Sequence, residues 1–158
     1  MMEKLKKHQF IPFLDVSGTK GDAWKPVWKR IDLSTIFELD PKPQTETMDY
    51  ISYETPVEEV ERYKPELPQE VALYEGDPIY DYVFGLLYDL PVGDGVKAPL
   101  LMCFGGSAKK AWQVRQCTLV LGSLNTVSGK LAFTLHMGGD IERGTYAVTD
   151  GVPAFLAG

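Results

Sequence analysis

The residue pattern predicts a mainly β fold, built from antiparallel strands with one α-helix. Three observations carry that expectation. Apolar and polar residues alternate with period two through the C-terminal third. Gly, Asn and Asp punctuate those runs at short intervals. Only one segment shows helical periodicity.

Taken in chain order, the first apolar segment is Phe10-Ile11-Pro12-Phe13-Leu14, on the heels of a basic start. Next, Ile31, Leu33, Thr35, Phe37 and Leu39 alternate with Asp32, Ser34 and Glu38, predicting a strand that Pro41 and Pro43 end. Residues 41–75 form an acidic excursion broken by Pro56, Pro65 and Pro68, with Tyr50–Tyr53 and Val71–Tyr74 as short strand candidates. A long excursion of this kind commonly serves binding or assembly. The helix is expected over about 77–90. Asp77 stands where a cap belongs and Pro78 at the first helical position. Ile79, Val83, Leu86, Leu87 and Leu90 line one face, and Pro91 and Gly93 stop it.

Two half-buried strands follow. Between Val114 and Leu121, Cys117, Leu119 and Leu121 share one face while Gln116 and Thr118 share the other. Leu131, Phe133, Leu135 and Met137 alternate with Ala132, Thr134 and His136, and Asn125, Ser128 and Gly129 suit the turn between the two. A third run, Thr145–Val148, follows Gly138, Gly139 and Gly144 and stops at Asp150-Gly151. The result is a sheet with one dry and one polar face. The last apolar segment is Val152-Pro153-Ala154-Phe155-Leu156. Burying a large apolar side chain is worth about 1.5–3 kcal/mol, so both terminal segments should pack somewhere, on their own domain or on a second copy.

Composition narrows the function. The chain has 158 residues, enough for one domain with its own core. Sixteen Lys and Arg against twenty-two Asp and Glu leave a net charge of −6, a poor match for gripping nucleic-acid phosphates. Charge also runs in blocks, +4 over residues 1–30, −13 over 31–94 and +3 over 95–158, which suits basic segments meeting the acidic segment of a neighbour. Cys103 and Cys117 lack CxxC spacing and read as small core hydrophobes of a reduced, cytosolic protein. No apolar run approaches the ~20 residues of a membrane span, and no export signal is expected.

Catalytic signals are weak. His8 and His136 fit neither HExxH nor a hydrolase triad, and no GxSxG elbow is present. Gly105–Lys110 looks like a phosphate loop but lacks GxxxxGK[ST], and Asp15–Asp22 lacks the closing glutamate of a calcium loop. Glu58, Glu59 and Glu61 have no partner for acid–base work. No metal, cofactor or catalytic residue is therefore assigned. Trp24 and Trp28 flank Lys25-Pro26 and precede Lys29-Arg30, a composition suited to anchoring an interface.

The order of features resembles the tail tube (major tail) proteins of tailed bacteriophages and prophages. The resemblance runs through Trp28-Lys29-Arg30, Ser34-Thr35 and Phe37, Thr47-Met48-Asp49-Tyr50-Ile51 and Tyr63-Lys64-Pro65-Glu66. Gly76-Asp77-Pro78, Gly138-Gly139-Asp140, Gly144 and Gly151 continue it. It implies an antiparallel β-sandwich or barrel with one flanking helix and extended loop and terminal arms, related in fold to type VI secretion tubes. One domain would span 1–158, with 1–30 as an N-terminal arm or loop and the acidic excursion 41–75 as assembly elements. Six copies would form a ring, and stacked rings a virion tail tube, made in the bacterial cytoplasm. The tube would hold the tape-measure protein, pass DNA transiently, and meet tail terminator and baseplate or distal tail proteins, with a sheath only in a contractile tail. No membrane insertion is implied.

On that reading Phe10, Ile11, Phe13, Leu14, Trp24, Trp28, Glu58, Glu59, Glu61, Phe155 and Leu156 lie at contacts between copies. Gln116, Thr118, Thr134 and His136 face the lumen. The rivals are a tail-completion ring protein of the same fold and a glycan- or peptide-binding β-sandwich using Trp24, Trp28 and Trp112 as platforms.

Overall fold

A computed structural model describes residues 2–19, 24–35 and 38–157. Among them are eleven strands and one α-helix, and every strand pairing is antiparallel. The strands are β1 (Ile11–Asp15), β2 (Trp28–Arg30), β3 (Pro43–Met48), β4 (Val57–Tyr63), β5 (Glu66–Ala72), β6 (Leu100–Cys103), β7 (Lys110–Val114), β8 (Thr118–Asn125), β9 (Lys130–His136), β10 (Ile141–Thr149) and β11 (Val152–Ala157). The helix, α1, spans Pro78–Asp89. Six strands form one sheet in the order β11-β10-β7-β6-β1-β2, three form a second as β5-β9-β8, and β3 and β4 pair with each other alone.

The two larger sheets curl over a shared core. Its buried residues come from both sheets and the helix, among them Leu14, Leu100, Met102, Val114, Leu67, Leu119, Leu131, Phe133, Leu135, Ile79 and Val83. The chain passes between sheets at two corners. One is the 115–117 turn joining β7 to β8, the other the glycine-containing 138–140 link from β9 to β10. The predicted strand over 114–121 is thus two strands in different sheets, and Gln116 sits on the corner between them. Cys117 remains fully buried there.

The helix forms where its periodicity places it. Ile79 and Val83 are fully buried, while Leu86 and Leu87 pack at the core's margin. Leu90 closes it in the left-handed region, φ 50°, and its N–H donates to the Leu86 carbonyl at 2.9 Å. It is 67% exposed, so the apolar face ends one turn earlier than its spacing implies. Asp77 occupies the cap position but its side chain makes no cap hydrogen bond. The Asp81 carboxylate instead reaches back to accept from the Gly76 N–H at 3.4 Å.

Three further expectations are corrected. Residues 31–39 make no continuous strand among the described residues, and Phe37 lies outside them. The segment runs beside β5 through isolated bridges, Ser34 with Val71 and Asp40 with Glu66. Glu66 and Ala72 donate to the Asp40 and Leu33 carbonyls. Pro68, on that same side of β5, has no N–H to continue the ladder. The N-terminal segment is not an arm beyond residue 10, because β1 lies between β6 and β2. Phe13 and Leu14 are 2% and 0% exposed. Leu14 enters the main core, while Phe13 joins a second cluster with Leu101, Cys103, Ala111 and Tyr146 on the other face of the six-stranded sheet. Finally, Tyr50–Tyr53 is a turn rather than a strand, and the excursion resolves into a hairpin followed by β5, which belongs to the body.

The C-terminal segment pairs with β10 over six residues, joined by Asp150-Gly151 with φ of 53° and 79°. Two successive positive φ values give the tight turn whose twist matches a hairpin. Gly144 lets β11 approach, since a Cβ there would collide with the Leu156 carbonyl.

Candidate assembly surfaces

The β3–β4 hairpin is exposed along nearly its whole length. Its Thr and Val residues favour extended backbone, but it presents no dry face. Between residues 43 and 63 six acidic residues stand against one basic residue. Glu46 lies directly opposite Glu59, a like-charge pairing that destabilises a ladder. A hydrogen bond with Glu61, then desolvation and the charge of Glu59, hold the Glu46 carboxyl above its ordinary value. At the tip Tyr50 and Tyr53 meet edge to face, with ring centroids 5.8 Å apart, and Ile51 is wholly exposed. A lone two-stranded hairpin is marginally stable in water. Glu58, Glu59 and Glu61 all sit on it, exposed.

A second surface is the outer face of the three-stranded sheet. Thr118 pairs with His136, and His136 with Glu66. The His136 Nδ1 lies 3.1 Å from Glu66 Oε1, and the Lys42 ammonium lies 3.9 Å from the other oxygen. The Lys97 ammonium donates to Thr118 Oγ1 at 2.8 Å. Thr134 sits one pair further along, between Pro68 and Val120. Thr118, Thr134 and His136 thus share a half-buried polar face, and Gln116 falls outside it on the corner turn. Beyond the Lys97–Thr118 bridge the edge strand β8 exposes Val120 and Leu124, and the edge strand β11 exposes Val152 and Leu156. Unpaired edges of this kind are templates for another chain.

The tryptophans are engaged within the chain. Asp15, 1% exposed, accepts from the Ser17 and Val27 N–H groups at 2.9 Å each and from Trp24 Nε1 at 2.7 Å. These three donors satisfy the buried carboxylate and fix the described ends of the segment between β1 and β2. The Arg115 guanidinium covers the Trp24 ring at 4.5 Å and also pairs with Glu142 at 2.7 Å. Trp28 meets Trp24 edge-on at 6.1 Å, and Trp112 meets Phe104 edge-on at 5.0 Å. These are packed rings, not open stacking platforms.

Among residues assigned to contacts between copies, Phe13 and Leu14 are corrected to core. Phe10, Ile11, Trp28 and Phe155 are half-buried against the two clusters of their own chain. Leu156 remains exposed on the β11 edge. Sequence reasoning missed the aromatic row along α1, in which Tyr80 packs half-buried against the core and Phe84 and Tyr88 are exposed. Their spacing of four residues was visible but lay beside the stronger leucine stripe.

Among the described residues no group of three His, Cys, Asp or Glu is placed to hold a metal ion, and no helix is long and apolar enough to cross a membrane. Burial pushes the thiols of Cys103 and Cys117 up to about 12, which leaves both protonated at neutral pH.

The chain therefore belongs to the class of curled antiparallel β folds with one flanking helix. No family profile matches the sequence, and no curated protein matches it. Solved structures do match its fold. A chain of the sheath/tube terminator of an extracellular contractile injection system, PVC, in its extended state matches with a TM-score of 0.57 at 11% identity, over 92% of this chain and 99% of that one. A chain of the PVC sheath–tube complex in the extended state matches at 0.52 and 12% identity, over 90% and 92% of the two chains. A chain of the anti-feeding prophage tube-terminating cap matches at 0.52 and 12%, over 92% and 93%. At these identities the likeness is one of fold.

Proposed function

We propose that this chain is a non-enzymatic structural subunit of a phage-tail-like tube, completed by copies of itself. The observation that carries the reading is a folded body that leaves an acidic hairpin standing alone beside two open sheet edges. Each is a liability for a lone molecule and a ready contact in a ring. The fold likeness to chains of injection-system tube assemblies supports it over nine-tenths of the chain. In a ring of six copies, the face holding Thr118, Thr134 and His136 would line the bore. The tape-measure protein and then DNA would occupy that bore, with terminator and baseplate proteins at the tube's ends and a sheath outside it in a contractile tail.

The second reading is a terminator ring of the same fold, favoured by the likeness to sheath/tube terminator and cap assemblies. Negative-stain microscopy of concentrated protein separates the two. Hollow rods support the tube subunit and isolated rings support the terminator. Monomers at every concentration and salt condition overturn both.

A further inference from the structure

The β3–β4 hairpin joins the body through two short limbs, residues 40–42 and 64–66, and each limb carries a proline. Pro41 and Pro43 have fixed φ, so the entering limb turns on one free φ, that of Lys42. Lys42 holds a φ of 45°, a left-handed value uncommon outside glycine, and a residue ahead of proline prefers extended backbone. Such a state persists only where the surroundings hold it.

Backbone hydrogen bonds close the root. Asp40 and Glu66 each donate to the other's carbonyl, at 3.0 and 2.8 Å, and the Lys64 N–H donates to the Pro41 and Lys42 carbonyls at 3.2 Å each. The Lys42 N–H donates to Asp40 Oδ1 at 3.0 Å. Asp40 and Glu66 are a bridged pair, so their carboxylates are like charges set across the root. The Lys42 ammonium lies 3.6 Å from Asp40 Oδ2 and 3.9 Å from Glu66 Oε2, and His136 Nδ1 stands 3.1 Å from Glu66 Oε1. One carboxylate is thus shared between the residue that sets the hinge and an imidazole on β9. From β5 the imidazole faces Glu66, and beyond it Asp40 and Lys42 of the entering limb. From β8 it faces Thr118, whose hydroxyl accepts from the Lys97 ammonium at 2.8 Å.

Histidine is the side chain that changes charge between about pH 5 and 8. With the ring protonated, Lys42 and His136 together offset the two carboxylates. With it neutral, Lys42 alone stands between them. We propose that residues 40–42 and 64–66 form a proton-operated hinge. Charged His136 completes the cluster that keeps Lys42 in its left-handed state and the hairpin fixed to the body, and neutral His136 releases the hairpin to swing. The hinge lies within one chain and stands apart from the self-assembly reading.

The test is amide hydrogen exchange by NMR on the full chain, at one low concentration. Protection factors, corrected for the pH dependence of intrinsic exchange, report the opening equilibrium of the root. The Lys64 and Glu66 amides should be about two- to fivefold better protected at about pH 5.5 than at about pH 7.5, as suits a part-exposed ion pair. The Phe104 and Tyr146 amides, bonded to the Lys110 and Lys109 carbonyls away from the root, serve as the control and should not change. His136→Gln and Glu66→Gln should each abolish the difference, and Lys42→Met should lower protection of the Lys64 amide at both pH values. Glu46 tightens the middle of the hairpin with the same sign, so the comparison is repeated in Glu46→Gln, where the root response should survive. Equal protection at the two pH values in the wild-type chain overturns the hinge. A response that persists in both His136→Gln and Glu66→Gln, or that vanishes in Glu46→Gln, also overturns it. Lost protection at Phe104 or Tyr146 in a variant reads as unfolding of the body, and the wild-type and Glu46→Gln comparisons then decide.

Discussion

Replacing Leu14 by Ala tests whether the N-terminal segment is part of the body. Leu14 is fully buried, pairs with Leu100 on β6 and Lys29 on β2, and packs into the main core. Truncating a leucine in such a site removes its transfer free energy and leaves a cavity, together about 2–5 kcal/mol. That is a large fraction of the ~5–15 kcal/mol that holds a domain together. At this chain length each kcal/mol moves the melting midpoint by about 2–4 °C, so Leu14→Ala should lower it by about 4–20 °C. The assay is thermal unfolding followed by circular dichroism, at one low protein concentration so that association does not shift the midpoint. Deleting residues 2–6, which precede β1, serves as the control and should leave the midpoint within ~2 °C. A Leu14→Ala protein that melts with wild type would mean that β1 does not hold the sheet together, and the argument from burial would fall.

Two glycines should respond with opposite signs. Gly144→Ala drives a methyl into the Leu156 carbonyl and should cost about 1–3 kcal/mol, whereas Gly85→Ala, on α1 with nothing within 4 Å, should stabilise by roughly 0.5–1 kcal/mol. Denaturant titration reads both. Iodoacetamide at pH 7 should modify neither Cys103 nor Cys117 in the folded protein and both after unfolding, because burial disfavours the thiolates. Glu46 gives the hairpin a pH dependence of definite sign. Its folded carboxyl lies above the ordinary 4.5, so the contribution to hairpin order is present below that value and is lost as pH rises through the raised one. NMR shifts of Thr45 and Val60 should report tighter pairing on acidification, and Glu46→Gln should flatten the response. A wild-type hairpin that loosens on acidification would contradict the sign.

The parts of the fold that were legible share one physical situation, a single dry face. Leu131, Phe133 and Leu135 alternate cleanly because β9 buries one side, and α1 shows its period because Ile79 and Val83 face one core. The segment at β1 was misread because apolar packing covers both faces of the six-stranded sheet there. With Phe13 and Leu14 buried on opposite sides, no alternation remains and the run looks like a sticky arm. The hairpin was misread for the converse reason. It has no dry face, so its strands carry charge throughout, and the apolar Tyr50-Ile51 pair marks its tip instead. Corners are also invisible to a periodic reading. Cys117 keeps the parity of Leu119 across a turn that changes sheets. The exposed candidate surfaces were legible mainly as charge blocks, since the exposure of a side chain depends on packing far from it in the sequence.

The central claim is that this molecule is completed by others of its kind, and sedimentation equilibrium across a hundredfold range of concentration tests it most directly. The account predicts a mass that climbs to defined multiples of the single chain and beyond. A mass fixed at one chain throughout, with the hairpin well ordered in solution, would contradict it.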